Sequence, residues 1–203
     1  MKKRIESHQL ESLIKRITKL GYEQPSDVKE HERPDFVLTI SGRRIGVEVT
    51  AAVYQEHVRA QKLHIQRCPT ECVNTTNLQD RDPRRSNDEL MSEMLKPNGT
   101  FKDSEQDMCD WRDKVATALE RKRAKLGHPD FQLFHQNWLL IHDEPGLAND
   151  RFTCDRAWQH AAALFSVPFV GARDFDTTFL LSNRYLFHWH QQVLSLHYEP
   201  SKV

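Results

Sequence analysis

Two acidic residues, Asp35 and Glu48, lie at or within predicted apolar strands. The surrounding stretch predicts two short strands, residues 36–40 and 45–50, joined by a glycine-containing turn. Asp35 opens the first strand and Glu48 lies inside the second, among apolar residues. An acid embedded in an apolar strand is costly to bury unless something pairs with it. If the hairpin brings the two carboxylates together, they supply the ligands that Mg²⁺ prefers, one or two carboxylates completed by waters.

The spacing of these acids resembles a known motif. Pro34-Asp35, a spacer of 12 residues and then Glu48-Val49-Thr50 resemble the signature of the PD-(D/E)xK nuclease superfamily, whose core is that of restriction endonucleases. The resemblance implies that Asp35 and Glu48 bind a metal ion, Mg²⁺ or Mn²⁺, with help from the backbone oxygen of Val49. It also implies hydrolysis of phosphodiester bonds, with DNA as the expected substrate.

Thr50 departs from this motif, because the family usually has a lysine at that position. Threonine cannot supply a positive charge, so either a cation comes from elsewhere or the site is impaired. A purely structural interpretation also stands. Pro-Asp before a strand is common turn chemistry, and Glu48 could be an edge-strand acid that faces solvent. Gly46 favours a close approach of another segment to the second strand.

The first predicted helix, residues 5–20, carries one further acid of interest. Its apolar residues form a single stripe at about 100° per residue, and Glu6 falls in line with that stripe. The superfamily often places an auxiliary acid on its first helix, so the resemblance, which covers residues 6–67 well, implies Glu6 as a further metal ligand. The alternative is a frayed first turn with a solvated glutamate.

The long predicted helix, residues 108–126, contains a lysine in its apolar stripe. Lys122 falls inside the stripe, whereas Arg121 and Arg123 fall outside it and Lys125 lies on its flank. Because lysine is rarely buried without a partner, Lys122 either meets a carboxylate or extends to solvent along the protein surface. In some members of the superfamily the catalytic lysine has moved to a neighbouring helix. The resemblance therefore makes Lys122 a candidate for the role that Thr50 cannot fill.

Residues 54–66 predict a helix with a glutamine on its apolar side. Gln61 lies at helical spacing among Tyr54, Val58 and Ile65. A glutamine on an inward face can orient an attacking water or contact a phosphate oxygen, which makes Gln61 a second catalytic candidate. More often such a residue is simply a polar side chain with its hydrogen bonds satisfied.

Residues 68–106 are polar and rich in proline, and they indicate an insertion or lid after the second helix. Ser86 and Glu89 form a capping box that predicts one short helix here. Cys68 and Cys72 are close in sequence, but their spacing lacks the second pair of ligands that a structural zinc site needs.

The remaining pattern completes a mixed α/β fold. It predicts strands at 137–142, 175–181 and 185–190 and a helix at 155–166. The order of elements fits a restriction-endonuclease-like mixed sheet flanked by helices, a single domain over residues 1–203 with the insertion at 68–106.

Composition limits the function classes. The chain has 203 residues with 29 basic and 29 acidic side chains, so its net charge of zero argues against a strongly basic nucleic-acid coat. A mean hydropathy of −0.71 without a long apolar run predicts no membrane segment. The basic N-terminus lacks the apolar stretch of a signal peptide, and four cysteines without a disulfide framework favour the cytoplasm.

Three functions are consistent with these observations. The first is a metal-dependent nuclease that acts on nucleic acid and could form a homodimer. The second is a catalytically inactive nuclease fold that binds nucleic acid or a protein partner. The third is an accessory protein of a phage or mobile element whose fold serves protein interaction. The acid pair favours the enzyme, whereas Thr50 and the neutral charge favour the other two.

Overall fold

A computed structural model describes residues 2–68, 70, 73, 78–80, 83–96, 104–143, 154–166, 173–182 and 185–198. The chain divides into two compact units, one of Met1–Ala52 with Met108–Val203 and one of Val53–Asp107. The helices are α1 (Lys2–Lys19), α2 (Gln55–Arg67), α3 (Asn87–Met94), α4 (Ser104–Leu126) and α5 (Cys154–Ser166). The strands are β1 (Asp27–Glu30), β2 (Phe36–Ile40), β3 (Arg43–Ala51), β4 (Gln136–His142), β5 (Thr177–Leu181), β6 (Tyr185–His190) and β7 (Val193–Tyr198).

The described strands form one mixed sheet in the first unit, in the order β1-β2-β3-β4-β5-β6-β7. Strands β3, β4 and β5 are parallel, and the remaining neighbours are antiparallel. Parallel neighbours require long crossover connections, usually helical. Helix α4 precedes β4 and helix α5 precedes β5, as this rule expects.

Two separate apolar cores cover the two faces of the sheet. Helix α1 packs its stripe on one face, and helices α4 and α5 pack on the other. Side chains of a strand alternate between faces. Ile45, Val47 and Val49 of β3 belong to the α1 core, so Glu48 and Thr50 point to the face that α4 covers. The predicted mixed sheet with helices on both faces is therefore confirmed.

The predicted helices and strands are present with small shifts of their ends, but β1 and β7 were not predicted. Strand β1 is short and mostly exposed, so its charged sequence shows no apolar alternation. Strand β7 follows a two-residue turn, Gln191-Gln192, in which both residues have positive φ, 49° and 63°. Such turns favour Asn-Gly or Gly-Gly, so two glutamines gave no hairpin signal.

The second unit has its own apolar core between α2 and α3, closed by Leu78. It begins at Val53, so the compact unit includes the second helix as well as the predicted insertion at 68–106. The capping box is present: Ser86 accepts a hydrogen bond from the Glu89 amide, and the Glu89 carboxylate accepts one from the Ser86 amide. Cys72 lies outside the described residues, and Cys68 is buried with a free thiol.

The predicted inward face of α2 is wrong. Its buried residues are Glu56, Ala60 and Leu63, whereas Ile65 is 71% exposed. The reason is a buried ion pair: Glu56 is 1% exposed, forms a close contact with the Arg85 guanidinium and accepts a 2.8 Å hydrogen bond from the Arg85 amide. An acid paired in this way is inward despite its charge, which a hydrophobic pattern does not indicate.

Gly46 provides the close approach that its position on β3 favours. A Cβ at this position would lie 2.7 Å from both Cγ of Pro34 and Cδ2 of Phe134. Pro34 immediately precedes Asp35, so its contact with Gly46 fixes the start of β2 against β3. Phe134 also packs under the Arg44 guanidinium, 4.8 Å from its ring centroid.

We predict that Gly46→Ala destabilises the protein by about 1–3 kcal/mol, because the added methyl must displace a proline ring and an aromatic ring. Chemical denaturation would measure this loss. Gly127→Ala is the matched control, since its new Cβ would meet nothing closer than a backbone oxygen at 3.8 Å. Equal stability of the two variants would show that the approach of Pro34 to β3 is not tight.

Candidate active site

Asp35 immediately precedes β2, at the point where the pairing of β2 with β3 stops. The antiparallel register of the two strands stops at the pair Phe36 and Val47. The backbone amide of Val49, beyond this point, donates a 2.8 Å hydrogen bond to Oδ2 of Asp35. The carboxylate therefore satisfies a backbone donor that β2 no longer reaches, and this bond holds Asp35 beside the Glu48–Thr50 segment.

Lys122 joins the two predicted acids. Its ammonium donates to Oε1 of Glu48 at close contact and to the Val49 carbonyl oxygen at 2.9 Å. The same Nζ lies 3.9 Å from Oδ2 of Asp35. Lys122 is 6% exposed and Glu48 5% exposed, so the ion pair is buried. The predicted position of Lys122 near Glu48 is confirmed, and the interpretation that it extends to solvent is wrong.

The electrostatic balance of this cluster follows from burial. Desolvation raises the pKa of Glu48; the Lys122 ammonium opposes this shift, and the nearby Asp35 carboxylate adds to it. Lys125, one turn further along α4, also lowers this pKa. Two carboxylates therefore share one ammonium at this position.

Thr50 has a cationic partner of its own. Nη2 of Arg121 donates a 2.9 Å hydrogen bond to the Thr50 hydroxyl, which is buried. The sequence pattern placed Arg121 outside the apolar stripe and missed this contact. The spacing of the basic residues could have indicated this contact. Arg121 directly precedes Lys122 and lies four residues before Lys125, so Arg121 and Lys125 share one flank of the helix.

Glu6 is buried at 5% exposure, so the interpretation of a frayed, solvated first turn is wrong. It lies on the stripe of α1, which packs on the face of the sheet opposite to α4. Among the residues that the structure describes, no three His, Cys, Asp or Glu side chains are grouped closely enough to hold a metal ion. Asp35 and Glu48 are thus a two-carboxylate pair, and Glu6 as a third ligand stays a prediction.

Gln61 belongs to the Val53–Asp107 unit. Its side chain is exposed, and its Nε2 lies 2.9 Å from Nε2 of His57. The inward orientation on which its predicted catalytic role depended is therefore wrong, while the role itself stays a prediction.

The donor atoms of the acid pair fit a hard divalent cation. Asp35, Glu48 and the Val49 carbonyl offer only oxygen, and these oxygens already surround one positive group, the Lys122 ammonium. Each carboxylate has two oxygens with about four acceptor sites. The contacts to Lys122 and to the Val49 amide therefore leave lone pairs for Mg²⁺ or Mn²⁺.

Comparison of the chain with protein-family models, curated proteins and solved structures finds no match. Over the described part of the chain, each helix is too short or too polar to cross a membrane. A functional assignment therefore depends on the geometry of the chain's own residues.

We predict that Lys122→Met destabilises the fold by about 3–5 kcal/mol at neutral pH, because it leaves the buried Glu48 carboxylate, with the partly buried Asp35 nearby, without its ammonium. A carboxyl whose pKa is raised in the folded state binds more protons folded than unfolded, so stability falls as pH rises. The loss in Lys122→Met should therefore shrink as the pH is lowered and Glu48 takes up a proton.

Urea denaturation at several pH values would measure these differences. The exposed Lys125→Met is the control on the same helix and should cost less than about 1 kcal/mol. The double variant Lys122→Met/Glu48→Gln should recover most of the stability lost in Lys122→Met, because Glu48→Gln removes the charge that needs the ammonium. The coupling energy of the two substitutions measures their direct contact. Strictly additive single losses would contradict the buried pair.

Proposed function

We propose that this protein is a Mg²⁺- or Mn²⁺-dependent nuclease that hydrolyses phosphodiester bonds, with DNA as its substrate. The observation that carries the proposal is the convergence of Asp35, Glu48 and the Val49 carbonyl on the Lys122 ammonium. The PD-(D/E)xK-like spacing of the acids supports it independently. The mixed sheet with helices on both faces supports a restriction-endonuclease-like fold.

Asp35 and Glu48 would hold the metal ion, together with the Val49 carbonyl oxygen. When bound, the ion supplies Lewis-acid stabilisation of the charge that develops on the phosphoryl group. The hydrogen bond from the Val49 amide fixes the orientation of Asp35 before substrate arrives. Such preorganisation matters because a ligand displaced by about 1 Å can cost two orders of magnitude in rate.

Lys122 would act on charge and orientation. As an ammonium it donates hydrogen bonds and cannot accept a proton, so it can align the attacking water and stabilise negative charge in the transition state. Position 50 on β3 holds a threonine, which carries no charge. Lys122, which is on α4, would supply the positive charge in its place. The buried surroundings make this charge more effective than it would be in water.

Electrostatics of the cluster suit a polyanionic substrate in spite of the neutral chain. Arg121, Lys122 and Lys125 lie on neighbouring positions of α4 beside the acid pair. A local group of cations attracts phosphates even when the net charge is zero.

The second candidate is a catalytically inactive module with the same fold that binds nucleic acid or a protein partner. The observation that favours it is the direct bond between Lys122 and Glu48. In this interpretation the ion pair is a structural element, and the cluster needs no metal ion.

We predict that the purified protein nicks supercoiled plasmid DNA in the presence of Mg²⁺ or Mn²⁺ and that EDTA stops the reaction. Asp35→Asn and Glu48→Gln should abolish nicking, because each removes a charge that holds the ion. Lys122→Met should lower the rate by about 10²–10³-fold, the effect of losing one stabilising group in a transition state.

The control for this experiment is Glu11→Gln, an exposed acid on α1 outside its apolar stripe, which should cut like the wild type. Circular dichroism would verify that each variant is folded. Equal nicking by the wild type and all site variants would identify a contaminating nuclease and reject the proposal. Binding of DNA without cleavage under any divalent ion would favour the inactive module.

A further inference from the structure

Helix α4 brings a second cation to the strand end that carries the acid pair. Lys122 contacts Glu48 and the Val49 carbonyl, and Arg121 reaches the next residue, Thr50. Consecutive helix residues point about 100° apart. The two side chains nevertheless contact adjacent positions of β3, Lys122 at residues 48 and 49 and Arg121 at residue 50.

The guanidinium of Arg121 differs from other arginines on the same helix. Arg123 is held by both oxygens of Asp174, at 2.8 and 2.6 Å, and Arg112 lies 3.4 Å from its neighbour Asp113. Within the described residues, the contact of Arg121 is the Thr50 hydroxyl alone, and no carboxylate neutralises its charge. An arginine has five N–H donors in a planar fork, and one hydroxyl uses a single donor.

We propose that Arg121 binds a nonbridging phosphate oxygen of the nucleic-acid backbone, with Thr50 as the residue that positions the guanidinium. This inference rests on the proposed function, because it names the substrate contact of the same site. A guanidinium matches phosphate geometry and can donate two parallel hydrogen bonds. The hydroxyl of Thr50 restricts the side chain before the phosphate arrives, which lowers the conformational entropy lost on binding.

The arrangement divides two tasks between neighbouring residues. Lys122 is engaged with the carboxylates, so its charge is committed to the reacting centre. Among the described residues Arg121 uses one donor, on Thr50, so its remaining donors and its charge can serve the backbone of the substrate. Removal of Arg121 should therefore affect binding more than the chemical step.

The test measures DNA binding and cleavage by the whole protein. Fluorescence anisotropy with a labelled duplex in EDTA gives the Kd at several salt concentrations without turnover. Arg121→Gln should raise the Kd roughly tenfold, as expected for a charged hydrogen bond. It should also reduce the slope of log K against log salt by about 0.9, the value for one phosphate contact on duplex DNA.

Cleavage kinetics with Mg²⁺ give a second readout. Arg121→Gln should raise KM more than it lowers kcat, Arg121→Lys should restore part of the binding, and Thr50→Val should weaken binding less than Arg121→Gln does. Arg112→Gln is the matched control, because it removes the same charge from the same helix at a position paired with Asp113. It should change neither the slope nor KM.

The outcomes separate this inference from the proposed nuclease activity. If the wild type cleaves DNA and Arg121→Gln behaves like Arg112→Gln, the phosphate contact is overturned and the nuclease stands. If the wild type binds but does not cleave and Arg121→Gln loses the salt-dependent contact, the contact is supported and catalysis is rejected. If the wild type neither binds nor cleaves, both are overturned.

Discussion

The buried ammonium of Lys122 is the interaction on which the rest of the site depends. Transfer of an isolated charge into a protein interior costs several kcal/mol, so Lys122 and Glu48 each require the other. Their contact requires that α4 cover the face of β3 opposite to α1 and that β3 extend beyond β2. The close approach of Pro34 to Gly46 and the hydrogen bond from the Val49 amide hold Asp35 beside the same segment of β3.

A buried ion pair is weak support for stability, because apolar residues of similar size often serve a core equally well. The cluster near the end of β3 contains more groups than one ion pair. Two carboxylates and a carbonyl oxygen lie around one ammonium, and a guanidinium contacts the next residue of the strand, Thr50. Carboxylate and carbonyl oxygens are ligands that a hard divalent cation prefers. The neighbouring cations of α4 favour an anion. This combination is what metal-assisted hydrolysis of a phosphodiester needs.

Strand alternation and helical phase, read from the sequence, predicted much of this arrangement. The features that these patterns missed depend on contacts between segments far apart in the chain. The period of two placed Glu48 opposite to the apolar residues of β3, and the phase of α4 turned Lys122 to the core. Arg121 was missed because its reach depends on side-chain length and not on helical phase. The predicted inward orientation of Gln61 was wrong because Glu56, paired with Arg85, lies on the buried side of α2. Such pairings depend on tertiary contacts that a hydrophobic pattern does not encode.

We propose that Asp35 and Glu48 hold one divalent cation beside Lys122. A crystal soaked with Mn²⁺ and measured at the manganese absorption edge tests it most directly. We expect one anomalous peak with oxygens of both carboxylates as ligands, at distances near the ~2.0–2.1 Å typical of Mg²⁺. The Glu48→Gln crystal, treated in the same way, should lose the peak. A wild-type crystal that shows manganese only elsewhere, with Lys122 still bonded to Glu48, would contradict the account.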